Sequence, residues 1–338
     1  MRIYSKKNLT QYELALTYDD ISLVPTEVSR IKSRTEAITD CKFLDRELSL
    51  PVISSPMDTV TGIDMAKELS SLGCLGVLNR FDSSLGSLVD ESDVEKSIGG
   101  VSVALNTADD VVAKLAERNF VICIDTANAS NLAVLKRCEE IKNKFNVKII
   151  LGNIAHGAPL RDLVNAGADA VRIGIGGGSV CTTSVQTGIG IGQVSSLLNV
   201  YSARAEGKFD IELIADGGIK NPGDVAKAIA LGADVVMLGR MLAGTKETPG
   251  EIIKYDDQLW KKYRGSASFG VKMKNEFIEG AETMIAYKGS VRNVIDGISD
   301  GLRSAMSYMN CFNLDELRGK DTFGILSHSS FLERLPKK

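Results

Sequence analysis

One cysteine stands where a cysteine can do chemistry. Cys181 lies in the run Gly174-Ile-Gly-Gly-Gly-Ser-Val-Cys181-Thr-Thr, whose glycines let backbone amides approach an anion, or carbonyls a cation. A thiolate there would attack an electrophilic carbon, with Thr182 and Thr183 as neighbouring hydroxyls for proton relay. The commoner fate of a free cysteine is as a small buried hydrophobe, which suits Cys123 inside an apolar run. The remaining cysteines, Cys41, Cys74, Cys138 and Cys311, are scattered without C-x-x-C spacing, so neither a disulfide framework nor a zinc ribbon is expected, and a reducing cytoplasm is. The two histidines, His156 and His328, are too few and too far apart for a histidine-built zinc site.

Such a loop needs a scaffold, and the chain repeats one unit that supplies it. Short Val/Ile-rich runs begin at Val52, Leu75, Val101, Phe120, Val147, Ala170, Ile211 and Val235. Near-continuous apolar runs of this length are strands covered on both faces. Helical spacing between them (Asp64-Met-Ala-Lys-Glu-Leu, Ala108-Asp-Asp-Val-Val, Gly223-Asp-Val-Ala-Lys) and Gly-Ala-Asp turns at Gly167 and Gly232 return the chain for the next parallel strand. Eight such units predict an α/β fold, a (β/α)8 TIM barrel with its site at the carboxyl ends of the strands. A doubly wound open sheet is the alternative.

Just past the runs the residues turn polar or glycine-rich: Ser55-Pro-Met57-Asp, Asn79-Arg80, Asp125-Thr126-Ala127-Asn128, Asn153, the 174–183 loop, Asp216-Gly217-Gly218 and Gly239-Arg240. The last two follow strands seven and eight, where barrels commonly hold phosphate. Asp216 would bind ribose hydroxyls or else serve as a turn or cap aspartate, and Arg240 would meet phosphate or an ordinary surface carboxylate. From Tyr263 to Lys288 the chain is too polar and broken for a core element, and reads as a mobile flap, about 264–287, in which Glu279, judged from spacing alone, has the character of a solvated loop carboxylate.

Composition removes other classes. With 338 residues, 44% of them hydrophobic, the chain can bury one large core, and a net charge of −3 offers no broad basic field for nucleic acid or an anionic membrane. The apolar runs are far short of a bilayer span.

Taken in order, Leu16-Thr-Tyr-Asp-Asp-Ile-Ser-Leu-Val-Pro, Ser54-Ser-Pro-Met-Asp-Thr-Val, the Cys181 loop, Ile214-Ala-Asp-Gly-Gly-Ile, Val236-Met-Leu-Gly and Tyr287-Lys-Gly-Ser resemble the family of inosine monophosphate dehydrogenases and guanosine monophosphate reductases. That resemblance covers nearly the whole chain. It implies attack of Cys181 on purine C2, giving a thioimidate that a dehydrogenase hydrolyses and a reductase reduces. Only about 22 residues separate Leu78 from Val101, leaving no room for the paired CBS modules common in the dehydrogenases, so residues 1–338 are expected to form a single catalytic barrel. The flap also lacks the Arg-Tyr pair with which the dehydrogenases activate water. With Arg80-Phe81 and Gly265-Ser266-Ala-Ser, it is similar to the compact reductases.

The resemblance therefore implies NADPH-dependent conversion of GMP to IMP and ammonia, with Cys181, Thr183 and Glu279 as the catalytic set. It assigns substrate to Ser55, Met57, Asn153, Ser179, Asp216, Gly217, Gly218, Gly239, Arg240, Tyr263, Gly265 and Ser266. Cofactor falls to Arg80, Asp125, Thr126, Ala127 and Asn128, and a monovalent cation such as K+ to the carbonyls of Gly176, Gly178 and Cys181. A homotetramer is implied. The alternatives are a dehydrogenase without CBS modules, oxidising IMP with NAD, and a nucleotide-binding barrel without turnover. The chain departs from the family pattern at Gly177 (usually proline), Ser184 (usually basic), Ile191-Gly192 (where a proline often sits), Asn79 (usually histidine) and Arg240 (usually small).

Overall fold

The eight apolar runs become eight parallel strands: β1 (Val52–Ser54), β2 (Val77–Leu78), β3 (Gly100–Val103), β4 (Val121–Asp125), β5 (Ile149–Ile154), β6 (Ala170–Ile173), β7 (Glu212–Asp216) and β8 (Val235–Leu238). The structure is a computed structural model and describes residues 3–11, 14–81, 99–265 and 280–334. Neighbours in the sheet follow chain order from β2 to β8, and β8 pairs with β1. Closure comes one step before β2. Leu75 bridges Ile53 in parallel, its amide donating to Val52 (3.1 Å) while the Ser54 amide donates to Leu75 (3.0 Å). A sheet that follows chain order and closes on its first strand is a (β/α)8 barrel, and the open-sheet alternative falls.

Side chains alternate along each strand between two cores. The inward set includes Ile53, Val77, Val121, Cys123, Ile150, Ala170, Ile214, Val235 and Met237, and it packs against Phe43, Leu44 and Leu48 from the hairpin of Cys41–Phe43 and Arg46–Leu48. The Leu44 amide donates to Glu212 at the start of β7 (2.9 Å), so the hairpin plugs the amino end. Function is left to the opposite rim.

The Gly-Ala-Asp turns have one physical explanation. Gly167 and Gly232 take φ of +91° and +109°, ending each helix in the left-handed region. Two residues on, Asp169 accepts from the Ile149 amide at the start of β5 (2.8 Å) and pairs with Lys142, while Asp234 accepts from the Leu213 amide of β7 (2.7 Å) and pairs with Arg204. Each aspartate caps the amino end of the preceding strand and ties it to a helix. Asp234→Ala should cost about 1–3 kcal/mol, seen as a lower urea midpoint with turnover unchanged; an unchanged midpoint would show the cap to be redundant.

Outside the barrel, Phe323–Ile325 pairs with both Ile3–Tyr4 and Ile21–Leu23, joining the two ends of the chain. Gln258–Arg264 lies between Ile253–Tyr255 and Glu282–Ala286 in an antiparallel sheet. The segment 264–287 is thus regular strand at Arg264 and over Glu282–Ala286, where a β-ladder hidden by polar, solvent-facing side chains gives little hydrophobic signal. Residues 266–279 between them lie outside the described part. Among the described residues no helix is long and apolar enough to cross a membrane.

Candidate active site

The loop after β6 is shaped by close backbone contacts. Gly174 adopts φ +139°, and a Cβ there would fall 2.1 Å from the Asp216 carbonyl, so only glycine lets the chain cross the end of β7. The Cys181 amide then donates to Gly178 (3.0 Å), occupying one lone pair of a carbonyl expected to face a cation. The Cys181 thiol donates to the Thr183 hydroxyl at 3.2 Å, and a short helix, Thr183–Thr187, follows. Nothing demands glycine at 177: the nearest atom to a Cβ built there is 3.7 Å away. Around Ser184 it is the facing glycines that are constrained. A Cβ on Gly176 or Gly190 would lie 3.2 or 3.0 Å from the Cβ of Ser184.

The roots of the expected flap are laced to this loop. Cys181 bridges Gly280, the Ala281 amide donates to Val180 (2.8 Å) and the Gly265 amide donates to Ala281 (3.0 Å). A Cβ on Gly265 would sit 3.2 Å from both Gly280 and the Val180 carbonyl, so a side chain there would have to push this backbone contact out by a few tenths of an ångström. Arg264 donates through Nε to Asp58 (2.7 Å) and through its amide to Thr59 (3.1 Å), pinning the same root to the loop after β1. Ser266 and Glu279 themselves lie outside the described residues.

Two cavities open at this rim, of about 600 and 400 Å³, and both are lined by Ser55, Met57, Gly176, Gly178, Asp216, Gly217 and Tyr263. The larger adds Ser179, Gly218, Gly239 and Arg240, and the Ser179 and Tyr263 hydroxyls lie 3.2 Å apart. The Gly218 amide donates to Gly177 (3.1 Å). The smaller adds Arg80, Asp125, Thr126, Ala127, Asn153, Cys181, Thr183 and Gly265. Asn128 lines neither; it is exposed and accepts from the Ser130 amide (2.9 Å), the short-range turn bond asparagine favours.

Of the cysteines, only Cys181 lines these cavities. Burial pushes the thiols of Cys41, Cys74, Cys123 and Cys138 up to about 12 and that of Cys311 to about 11, so these five stay protonated and inert.

Sequence reading missed the charge that organises the rim. Arg172, in β6, sends Nη1 to Asp125 (2.6 Å) and Nε and Nη2 to Asp216 (3.0 and 2.8 Å). Asp216 also accepts from Asn153 (2.8 Å). Burial opposes the guanidinium charge, but the carboxylates of Asp216 and Asp125 outweigh it and raise Arg172 well above its ordinary value. The signal was an arginine inside an otherwise apolar run. Tyr18 and Gln193 were missed too. Both are buried and line the larger cavity, and the Tyr18 hydroxyl and Gln193 Oε1 have no hydrogen-bond partner among the described residues.

Comparison with known proteins agrees with this architecture. Residues 15–337 match the family model described as IMP dehydrogenase / GMP reductase domain. A GMP reductase of Lactobacillus acidophilus is 35% identical over 90% of this chain and 93% of its own length. An inosine-5'-monophosphate dehydrogenase of Cryptosporidium parvum is 30% identical over 94% of each chain. Another, of Aquifex aeolicus, is 40% identical over 69% of this chain and 51% of its own.

Proposed function

The chain belongs to the IMP dehydrogenase / GMP reductase family of nicotinamide-dependent oxidoreductases, and from that premise we propose that it carries out the NADPH-dependent reductive deamination of GMP to IMP and ammonia. The observation that carries the reading is the position of Cys181: the one cysteine at the rim, 3.2 Å from the Thr183 hydroxyl, in a cavity that shares Asp216 and Gly176 with its larger neighbour. Ribose and phosphate lie in the larger cavity, on Asp216, Ser179, Gly218, Gly239, Arg240 and Tyr263. The base reaches over Met57 toward Cys181.

Cys181 as thiolate adds to C2, and the bond from C2 to the exocyclic nitrogen breaks. An amide anion is not a viable leaving group, so the nitrogen must be protonated as it departs. Glu279 supplies that proton through Thr183, in keeping with Gly280, the next residue, bridging Cys181. Reduced nicotinamide, when bound, supplies the hydride that C2 receives. The C2–sulfur bond then breaks, returning the thiolate and releasing IMP. Arg80, Asp125, Thr126 and Ala127 would hold the cofactor's nicotinamide end. The fit is good: Arg80 Nε is buried and makes no hydrogen bond among the described residues although Asp125 lies 3.5 Å away, so it can donate to a polar ligand without giving one up.

The reductase direction is supported by a flap sequence without an Arg-Tyr pair and by the reductase relative being 35% identical where the Cryptosporidium dehydrogenase, matched over a similar length, is 30% identical. We further read the chain as one barrel domain without CBS modules, acting as a homotetramer in the cytoplasm, with K+ on the 176–181 carbonyls. The Aquifex match favours a second reading, oxidation of IMP with NAD. Absorbance at the reduced-cofactor band, crossing GMP and IMP with NADPH and NAD, tests both. Loss of NADPH absorbance with GMP, with one ammonia released per turn, is expected. Absorbance gained with IMP and NAD would replace the proposal with the second reading.

A further inference from the structure

We infer that Arg240 makes the phosphate end of the larger cavity selective for a doubly charged phosphate monoester. This rests on the reading that the cavity takes a purine nucleotide, and it goes beyond it by naming the charge state recognised. Four charged side chains line the cavity: Asp19, Asp216, Lys220 and Arg240. Asp19 and Lys220 pair with each other, and Asp216 is held by Arg172 and Asn153. Of these four, only Arg240 has a charged group that makes neither an ion pair nor a side-chain hydrogen bond with the described residues. The cavity therefore presents one uncompensated positive charge.

Its place is fixed by the backbone. Lys288 Nζ donates to the carbonyls of Arg240 (2.9 Å) and Met241 (3.0 Å), so the nearest ammonium is committed to holding the turn that carries Arg240. Beside that turn, the Tyr263 hydroxyl lies 3.4 Å from where a Cβ on Gly239 would stand and 3.2 Å from Ser179 Oγ. These hydroxyls are neutral and can serve a monoester or a diester alike. A guanidinium differs, since its planar fork matches two phosphate oxygens and its charge rewards a second negative charge.

The test is calorimetric titration of the native protein, Arg240→Ala and Arg240→Lys with guanosine, GMP and the monoanionic methyl ester of GMP. Arg240→Ala should weaken GMP about tenfold or more, weaken the ester less, and leave guanosine unchanged; Arg240→Lys should recover part of the loss. Equal weakening of GMP and guanosine would reveal a structural role and overturn the inference. So would unchanged GMP affinity in Arg240→Ala, or native protein that binds GMP no better than guanosine. Because the readout is binding, absent NADPH turnover would count against the reductase reading alone.

Discussion

Cys181→Ala should abolish turnover, by at least about 10^4 in kcat, while GMP binding stays within a few-fold of native. No other group described at the rim can take the thiol's place. Thr183 has a hydroxyl 3.2 Å from the sulfur, but an alcohol is almost wholly protonated at neutral pH and is a far weaker nucleophile than a thiolate. Cys181→Ser should be as inactive, for the same reason. The control is Cys311→Ala, a fully buried site remote from both cavities, which should lower stability modestly and leave kcat unchanged. Alkylation gives an independent readout. Five thiols are pushed up to about 11 or 12 by burial, so limiting iodoacetamide should label Cys181 first, and GMP should protect it. Turnover that survives in Cys181→Ala would remove covalent catalysis from the mechanism altogether.

What the sequence disclosed and what it concealed follow from physics. Strands buried on both faces announce themselves as unbroken Val/Ile runs, so all eight were legible, as was the glycine-dense loop around Cys181. Closure was not, because hydrophobic period reports burial and not pairing; it rests on the single bridge from Ile53 to Leu75. Asp216 could have been a cap or a ligand, since an aspartate before two glycines serves either use, and only its bonds to Arg172 and Asn153 turn it toward the cavities. Asn128 shows the converse, a polar residue at a strand end engaged in a local turn. Tyr18 and Gln193 were illegible because each sits in a segment distant in sequence from the loop it meets: the Leu16 carbonyl accepts from the Val194 amide (3.0 Å), bringing the Leu16-Thr-Tyr segment onto the helix that begins at Gln193.

Arg172→Met should be the most destabilising single change at the rim, costing about 3–5 kcal/mol. The guanidinium is 8% exposed and its two carboxylates 11% and 13%, so removing it strands two negative charges at the mouth of a closed barrel. Methionine fills the volume without offering a donor, which makes the loss electrostatic and not a matter of packing. Asn153 donates one bond to Asp216. Among the described residues Asp125 keeps only the Arg80 guanidinium as a charged partner, at 3.5 Å and without a hydrogen bond from its Nε. The charge explanation makes a sharper demand: adding Asp125→Asn to Arg172→Met should restore part of the stability, although Asp125→Asn alone destabilises the native protein. Arg172→Lys should fall between, because one ammonium cannot grip both carboxylates as the fork does. Urea midpoints read all four variants. GMP affinity should fall in parallel, since Asp216 is placed for the ribose only while Arg172 and Asn153 share it. If Arg172→Met costs under about 1 kcal/mol, below even a single charged hydrogen bond, the network is ornamental and Asp216 must be held in place by the backbone of its own turn.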